Sequence, residues 1–282
     1  MNSLKNIRYF KFFILIFLSS LLFSTPSEPP IPTTMNYDYL RENGDDFFSQ
    51  GVVTYKGDFV QTSSGTVITQ RKEGILYWED IPFALPPVAN LRWKAPVAFT
   101  SENFKINPKE NNFCHQEIGG QIQEINQTGS EDCLYLDIRA PHGKRDNLPV
   151  MFWIHGGGNT SGHKDFYNFS ELVKRKDVIV VSTNYRLGPL GFFTHPAIQD
   201  FHTGLDKTSN FGILDIVLAL KWVNENIAFF GGDPNNITIF GESAGGHNVL
   251  SLLVAQQAKG LFHKAISQSG YTKSSSLQNA YK

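Results

Sequence analysis

Cysteine is nearly absent from this chain, with only Cys114 and Cys133 in 282 residues. No group of His, Cys, Asp and Glu has the spacing of a metal-ligand set either, so no metal is expected. Long basic runs are missing and the formal net charge is −1, which argues against nucleic acid as a partner. The apolar run Phe12 to Phe23 is twelve residues long, short of the roughly 20 that a membrane-spanning helix needs, so stable membrane insertion is not expected. There are no internal repeats, and low-complexity sequence is confined to the serines at 274–276. A composition of 41% hydrophobic and 18% charged residues suits one large domain with a core of ordinary size.

The chain begins with Lys5, Arg8 and Lys11 and no acid, then the Phe12–Phe23 run, then Ser24-Thr25-Pro26. This pattern predicts a secretory signal peptide over 1–24, a polar, proline-rich and poorly ordered leader over 25–45, and a domain from 46 to 282. Losing those three basic groups takes the formal net charge from −1 to −4. The expected location is therefore secreted or periplasmic. There the two cysteines, which enclose eighteen residues, favour a disulfide over a metal site or a reactive pair. Closing a loop of that size stabilises a fold by about 3 kcal/mol when its geometry is unstrained.

Residues 51–81 alternate apolar and polar positions around turn residues such as Ser63-Ser64-Gly65, which predicts short antiparallel strands. Leu148–Ile154 and Val178–Ser182 are continuous apolar runs of strand length, the pattern of central strands covered on both faces. From Asn210 to Ile227, Ile213, Leu214, Val217, Leu218, Leu220 and Val223 recur at helical spacing, with Ser209 or Asn210 placed to cap the start and Gly231-Gly232-Asp233-Pro234 to end it. A buried strand, a second helix and a strand at Lys264–Ser267 follow. Strands alternating with helices after an antiparallel beginning predict an α/β fold with a mostly parallel central sheet.

Between Ile237-Thr238-Ile239-Phe240 and the apolar run at 249–253 stands Gly241-Glu242-Ser243-Ala244-Gly245-Gly246. A G-x-S-x-G pentapeptide where a strand turns into a helix is the nucleophile elbow of a serine hydrolase, with small residues where a Cβ would strike the neighbouring backbone. Ser243 is then exposed, with the Ala244 N–H and a helix N-terminus facing any oxyanion it creates. Acyl transfer needs further donors for that charge, and His155-Gly156-Gly157-Gly158 follows a predicted strand.

With these motifs the chain resembles the type B carboxylesterase and cholinesterase family of α/β-hydrolases. Matching blocks are Trp78 to Ala84, Glu131 to Asp137, His155 to Gly158, Asn184 to Gly188, and Phe230 to Pro234 running on to the elbow. The resemblance implies an α/β-hydrolase fold, Ser243 as nucleophile, Gly157, Gly158 and Ala244 as oxyanion-hole donors, Cys114–Cys133 as the family's first disulfide, and a small-molecule ester as substrate. Glu242 is either a residue that tunes the field at the site or one half of a structural ion pair, while Arg186 and Asp215 are expected to be structural. No cofactor is implied, because serine, histidine and backbone dipoles suffice for ester cleavage. Two positions depart from the family pattern. Asp137 stands where asparagine is usual, and is expected to alter a local hydrogen-bond arrangement. Asn159 stands where an aromatic or small residue is common, and makes a wall near the acyl site more polar. No aromatic residue lies between His115 and Asp132, so the platform that holds quaternary ammonium by cation–π attraction is missing from its usual loop and choline esters are not expected substrates.

A serine nucleophile needs a histidine base and an acid that orients it, here in the order serine, acid, histidine. No acid follows Glu242, and only His247 and His263 follow Ser243. His247 lies four residues along the elbow helix and His263 precedes a predicted strand, so both are expected to be structural or exposed. The expectation is therefore the amino-terminal half of a hydrolase of about twice this length, its later strands, acid and histidine lying outside the chain. Alone, such a half keeps at most the roughly 10³ to 10⁴-fold rate enhancement that binding and an oxyanion hole supply. An apolar edge strand at 264–267 is also expected to make it aggregate. The alternative reading is a non-catalytic adhesion module or an inactive truncated member of the same fold.

Overall fold

The computed structural model describes residues 59–72, 74–116, 129–143, 145–274 and 276, together with 48–49 and 52–53. The expected signal segment and the leader at 25–45 lie outside the described residues. What is described falls within one compact unit, Gly44–Lys282.

The strands, in chain order, are β1 (Phe48–Ser49), β2 (Val52–Val53), β3 (Phe59–Thr62), β4 (Gly65–Ile68), β5 (Gln70–Lys72), β6 (Ile75–Pro82), β7 (Lys105–Ile106), β8 (Tyr135–Pro141), β9 (Leu148–Ile154), β10 (Ile179–Thr183), β11 (Gly232–Glu242) and β12 (Lys264–Gln268). β1 pairs with β2, and β3, β4 and β7 form a small three-stranded sheet. The remaining strands make a seven-stranded sheet in the order β12-β11-β9-β10-β8-β6-β5. The expected α/β-hydrolase sheet is thus present, and it is mixed. β12-β11, β11-β9 and β9-β10 are parallel, whereas β10-β8, β8-β6 and β6-β5 are antiparallel. The parallel half is the part whose strands are linked through helices, which return the chain to the same end of the sheet.

Period-two alternation divides the strands between two apolar layers. Val150, Phe152, Ile154, Ile179, Val181, Ile237 and Ile239 belong to the larger one, while Trp153, Val180 and Phe240 belong to the smaller. This alternation of buried side chains explains the unbroken apolar runs in the sequence, since both faces are covered. Each such side chain contributes about 1.5–3 kcal/mol when fully buried. The helices are α1 (Ser170–Lys176), α2 (Gly188–Gly191), α3 (Pro196–Phe201), α4 (Phe211–Asn226) and α5 (Ala244–Val254). α1 places Leu172 and Val173 in the smaller layer. α4 puts Ile216, Val217, Leu220 and Val223, and α5 puts Val249 and Leu252, into the larger.

α4 lies where its periodicity places it. Asn210 is its N-cap residue but makes no side-chain capping bond, so the apolar stripe rather than the cap accounts for the helix. The chain leaves α4 through a short 3-10 turn and Gly231, whose φ of 88° reverses the backbone before β11. β12 is the outermost strand on its side among the described residues, and all its residues are exposed.

Candidate active site

β11 ends at Glu242 and α5 begins at Ala244, so the whole reversal falls on Ser243. Its φ of 55° and ψ of −120° lie in a region that L-residues avoid, at a cost of about 1–3 kcal/mol. Two backbone bonds hold it there: Ser243 N–H donates to Gln268 O at 2.9 Å, and His247 N–H donates to Ser243 O at 2.9 Å. The surrounding glycines are dictated by close approach. A Cβ on Gly245 would stand 2.1 Å from Ile154 O, and one on Gly241 2.6 Å from Gly245 O. The elbow is therefore interlocked, backbone against backbone, with the end of β9.

That interlock brings the triple-glycine segment to the serine. A Cβ on Gly156 would lie 3.2 Å from Ser243 Cβ and 2.6 Å from Glu242 O, so Gly156 fits directly against the elbow. Gly157 and Gly158 follow with φ of 99° and 65°, and Gly157 O accepts bonds from the N–H groups of Thr160 and Ser161, both at 3.0 Å. His155 is buried with its ring stacked on Tyr185, centroids 4.4 Å apart. Tyr185 Oη donates to His155 O at 2.7 Å, and Asn159 Oδ1 lies 3.2 Å from the same hydroxyl. Burial pushes the imidazole of His155 down to about 4, so it is neutral at physiological pH. Asn159, the polar departure, is fully engaged: besides Tyr185, it exchanges bonds with Asn248, whose Nδ2 donates to Asn159 Oδ1 at 2.9 Å.

Beside these groups lies a hollow of about 470 Å³ lined by Gly156, Gly157, Glu242, Phe113, Phe166 and Tyr167, among others. Asn159, His247 and Asn248 help to line a second, more open one of about 860 Å³. Glu242 makes no ion pair and its carboxylate accepts no hydrogen bond among the described residues, so the structural ion-pair role is not what these residues provide for it. Arg186 and Asp215 do form such a pair, buried and two-pronged, at 2.8 and 2.7 Å. The disulfide Cys114–Cys133 is formed, while residues 117–128 of the loop it closes lie outside the described residues.

The motifs do not disclose a buried cluster of charges next to this loop. Lys164 is 1% exposed, and its Nζ lies 2.9 Å from Asp80 Oδ1, 2.9 Å from Asp137 Oδ1 and 2.7 Å from Asp165 Oδ2. Arg139 adds a second cation, 3.7 Å from Asp137 and 3.5 Å from Asp165. Burial opposes the charge on Lys164, but the fields of Asp137, Asp165 and Asp80 outweigh it and hold its proton above the ordinary lysine range. Burial likewise pushes the carboxyl of Asp137 well above the usual carboxylate range. The one trace in the sequence was Asp137 itself: an acid in place of asparagine requires a counter-charge, and Lys164 is that charge.

No group among the described residues hydrogen-bonds to Ser243 Oγ. His247 stacks on Tyr271 at 4.5 Å between centroids, its Nδ1 against Tyr271 O. His263 is exposed, its Nδ1 accepting from Ile237 N–H at 3.2 Å. Both histidines are thus occupied as structural groups, as their positions in the sequence suggested.

A mixed sheet whose parallel strand ends in a strained serine at a helix start, beside a glycine-rich loop from a neighbouring parallel strand, defines an α/β-hydrolase. The chain belongs to the Carboxylesterase family, which matches residues 56–281. It is 41% identical to the para-nitrobenzyl esterase of Bacillus subtilis (strain 168) over 228 residues, 78% of this chain and 45% of that protein. It is 43% identical to carboxylesterase 1D of Rattus norvegicus over 210 residues, 70% of this chain and 36% of the relative. The solved structure of a thermophilic PNB esterase superposes with a TM-score of 0.70 at 39% identity, covering 80% of this chain and 47% of that one. The chain therefore spans less than half the length of these relatives.

Proposed function

We propose that the protein hydrolyses carboxylic esters of small molecules through an acyl intermediate on Ser243. In this reading Ser243 Oγ attacks the ester carbonyl, and the N–H groups of Gly157, Gly158 and Ala244 receive the oxyanion. Each such donor is worth about 3–4 kcal/mol of barrier. The observation that carries the proposal is the backbone of Ser243 at φ 55°, ψ −120°, a strained conformation kept in place with Gly156 fitted against it. The Glu242 carboxylate, which has no hydrogen-bond or ion-pair partner among the described residues, bears on the same space and tunes its field. The histidine base and its acid, which the described residues do not bring to Ser243, belong in this proposal to chain beyond residue 282.

Treating the native gene product with a fluorophosphonate and mapping the adduct tests this reading. Labelling at Ser243 that disappears in Ser243→Ala is expected. A native product that stays unlabelled has no activated hydroxyl, and an adhesion role would then take the enzyme's place. We also propose export, on the strength of the basic and apolar start and of a disulfide suited to an oxidising compartment. The mature protein should then begin near residue 25, and an intact Met1 in the purified native protein would rule this out.

A further inference from the structure

We infer that Lys164 is a positioning residue for the oxyanion site, its buried ammonium anchoring the turn 157–167 that carries both Gly157 and the aromatic wall of the neighbouring hollow. The inference rests on the reading of Gly157 as an oxyanion donor.

Asp165, Phe166, Tyr167 and Asn168, which follow Lys164, are all exposed, and a surface segment with little apolar burial has low local stability. Tyr167 rests its ring edge-on against buried Trp153, centroids 5.2 Å apart, and Lys164 is the one residue of 163–168 that is buried. Its three N–H groups meet three carboxylates, on Asp80, Asp137 and Asp165, which saturates the ammonium and fixes its direction. Two of these acids sit on central strands. Asp137 lies on β8, and Asp80 lies at a register shift in β6 with φ of 55°, where its N–H donates to Asp137 Oδ1 at 2.9 Å. The bulge thus aims Asp80 at the lysine.

Backbone hydrogen bonds tie the stretch between Lys164 and Gly157 to the same body of the fold. Lys164 N–H donates to Asn184 Oδ1 at 2.8 Å, and Asn184 Nδ2 donates to Cys133 O at 3.0 Å. Gly162 N–H donates to Gln116 Oε1 at 2.8 Å, and Gln116 Nε2 returns a bond to Gly162 O at 3.0 Å. Ser161 and Thr160 then bind Gly157 O. Tilting Gly157 tilts its N–H, and a donor aimed at an oxyanion loses its effect with small misplacement. His163, Phe166 and Tyr167, on either side of Lys164, line the hollow, so the same anchor sets its wall.

The charge count makes the inference testable. Three carboxyl groups share two cations here, and burial draws Asp137 towards its neutral form. Lys164→Met leaves the three acids with Arg139 alone, and adding Asp137→Asn removes one acid while keeping an oxygen for Asp80 N–H. Hydrogen exchange of the complete native product, read in peptides covering 156–168 and 211–226, is the direct measure. In K164M the first peptide should exchange roughly tenfold faster or more while the second is unchanged. K164M/D137N should recover part of that protection, and D165N, which removes only the outermost partner, should give a smaller change in the same peptide. If K164M does not accumulate as folded protein, D165N carries the comparison. With p-nitrophenyl acetate, kcat should fall by roughly 10²-fold in K164M with KM nearly constant, and the variants should rank as in exchange. Unchanged protection at 156–168, equal acceleration at 211–226, a double variant worse than K164M, or a loss confined to KM would each overturn the inference. A wild-type product with neither turnover nor labelling would sink the reading of Ser243 and of Gly157 as its donor, while the exchange data would still decide whether Lys164 anchors the turn.

Discussion

Two turns border the candidate nucleophile, and opposite physics holds each in place. The bend at Ser243 is fixed by steric exclusion: Gly241, Gly245 and Gly156 let backbone touch backbone, leaving no room for one added carbon. The turn at Lys164 is fixed by charge, an ammonium taken almost wholly out of water among three carboxylates. Steric fixing is short-ranged and indifferent to pH and salt, but it tolerates no substitution. Charge fixing carries a desolvation penalty, yet it is retuned by changing any one partner. A rigid elbow and an adjustable turn can therefore coexist in one fold.

The sharpest way to break this contrast is Gly245→Val. Its Cβ would meet Ile154 O at 2.1 Å and His155 O at 2.8 Å, both backbone atoms, so a loss of more than about 4 kcal/mol, or no folded protein at all, is expected in urea unfolding. A variant within about 1 kcal/mol of wild type would mean that the interlock gives way cheaply. Lys164→Met should lose about 3–5 kcal/mol, as broken buried ion pairs do, and Asp137→Asn on that background should return about 1–2 kcal/mol. Additive losses in the same unfolding series would remove the coupling.

Acid response separates the two devices further. His155, behind the elbow, has its imidazole pushed down to about 4 by burial, against about 6.5 in an unfolded chain. Between those values the unfolded state binds the extra proton, so this contribution to stability is complete above about pH 6.5 and is lost as pH falls towards 4, on the order of 3 kcal/mol in all. Burial shifts His163 in the same direction. His155→Asn should flatten the pH dependence of the unfolding midpoint in that window, and an unchanged slope would assign it elsewhere. The smallest expected effect has the opposite sign. Ser243→Gly should gain about 1 kcal/mol by relieving the positive φ, seen as a higher unfolding midpoint, while fluorophosphonate labelling disappears.

Much of the frame was legible because it rests on periodicity and on glycine. α4 at Phe211–Asn226 and the runs that became β9 and β10 follow from apolar spacing. The elbow follows from five consecutive residues, and Gly156 beside Ser243 follows from the two motifs together. The antiparallel half of the main sheet was harder to read: β8 has Arg139 and Asp137 among its buried residues, which disguises a central strand as a polar segment. Asn210 looked like a helix cap yet bonds no helix amide through its side chain. No motif or period in the sequence marked Lys164 as a buried charge.

Local chemistry along the chain determined the elbow, the glycine loop, the disulfide pairing and the layering of apolar strands, because each depends on near neighbours or on a period. Tertiary structure alone decided which charges are buried and with whom. Asp80, Asp137 and Lys164 are separated by 57 and 27 positions along the chain, and no propensity links residues so far apart. Their meeting follows from the sheet register and the bulge in β6, and the energy that makes it tolerable, attraction at low dielectric set against lost hydration, exists only once the chain has closed around them.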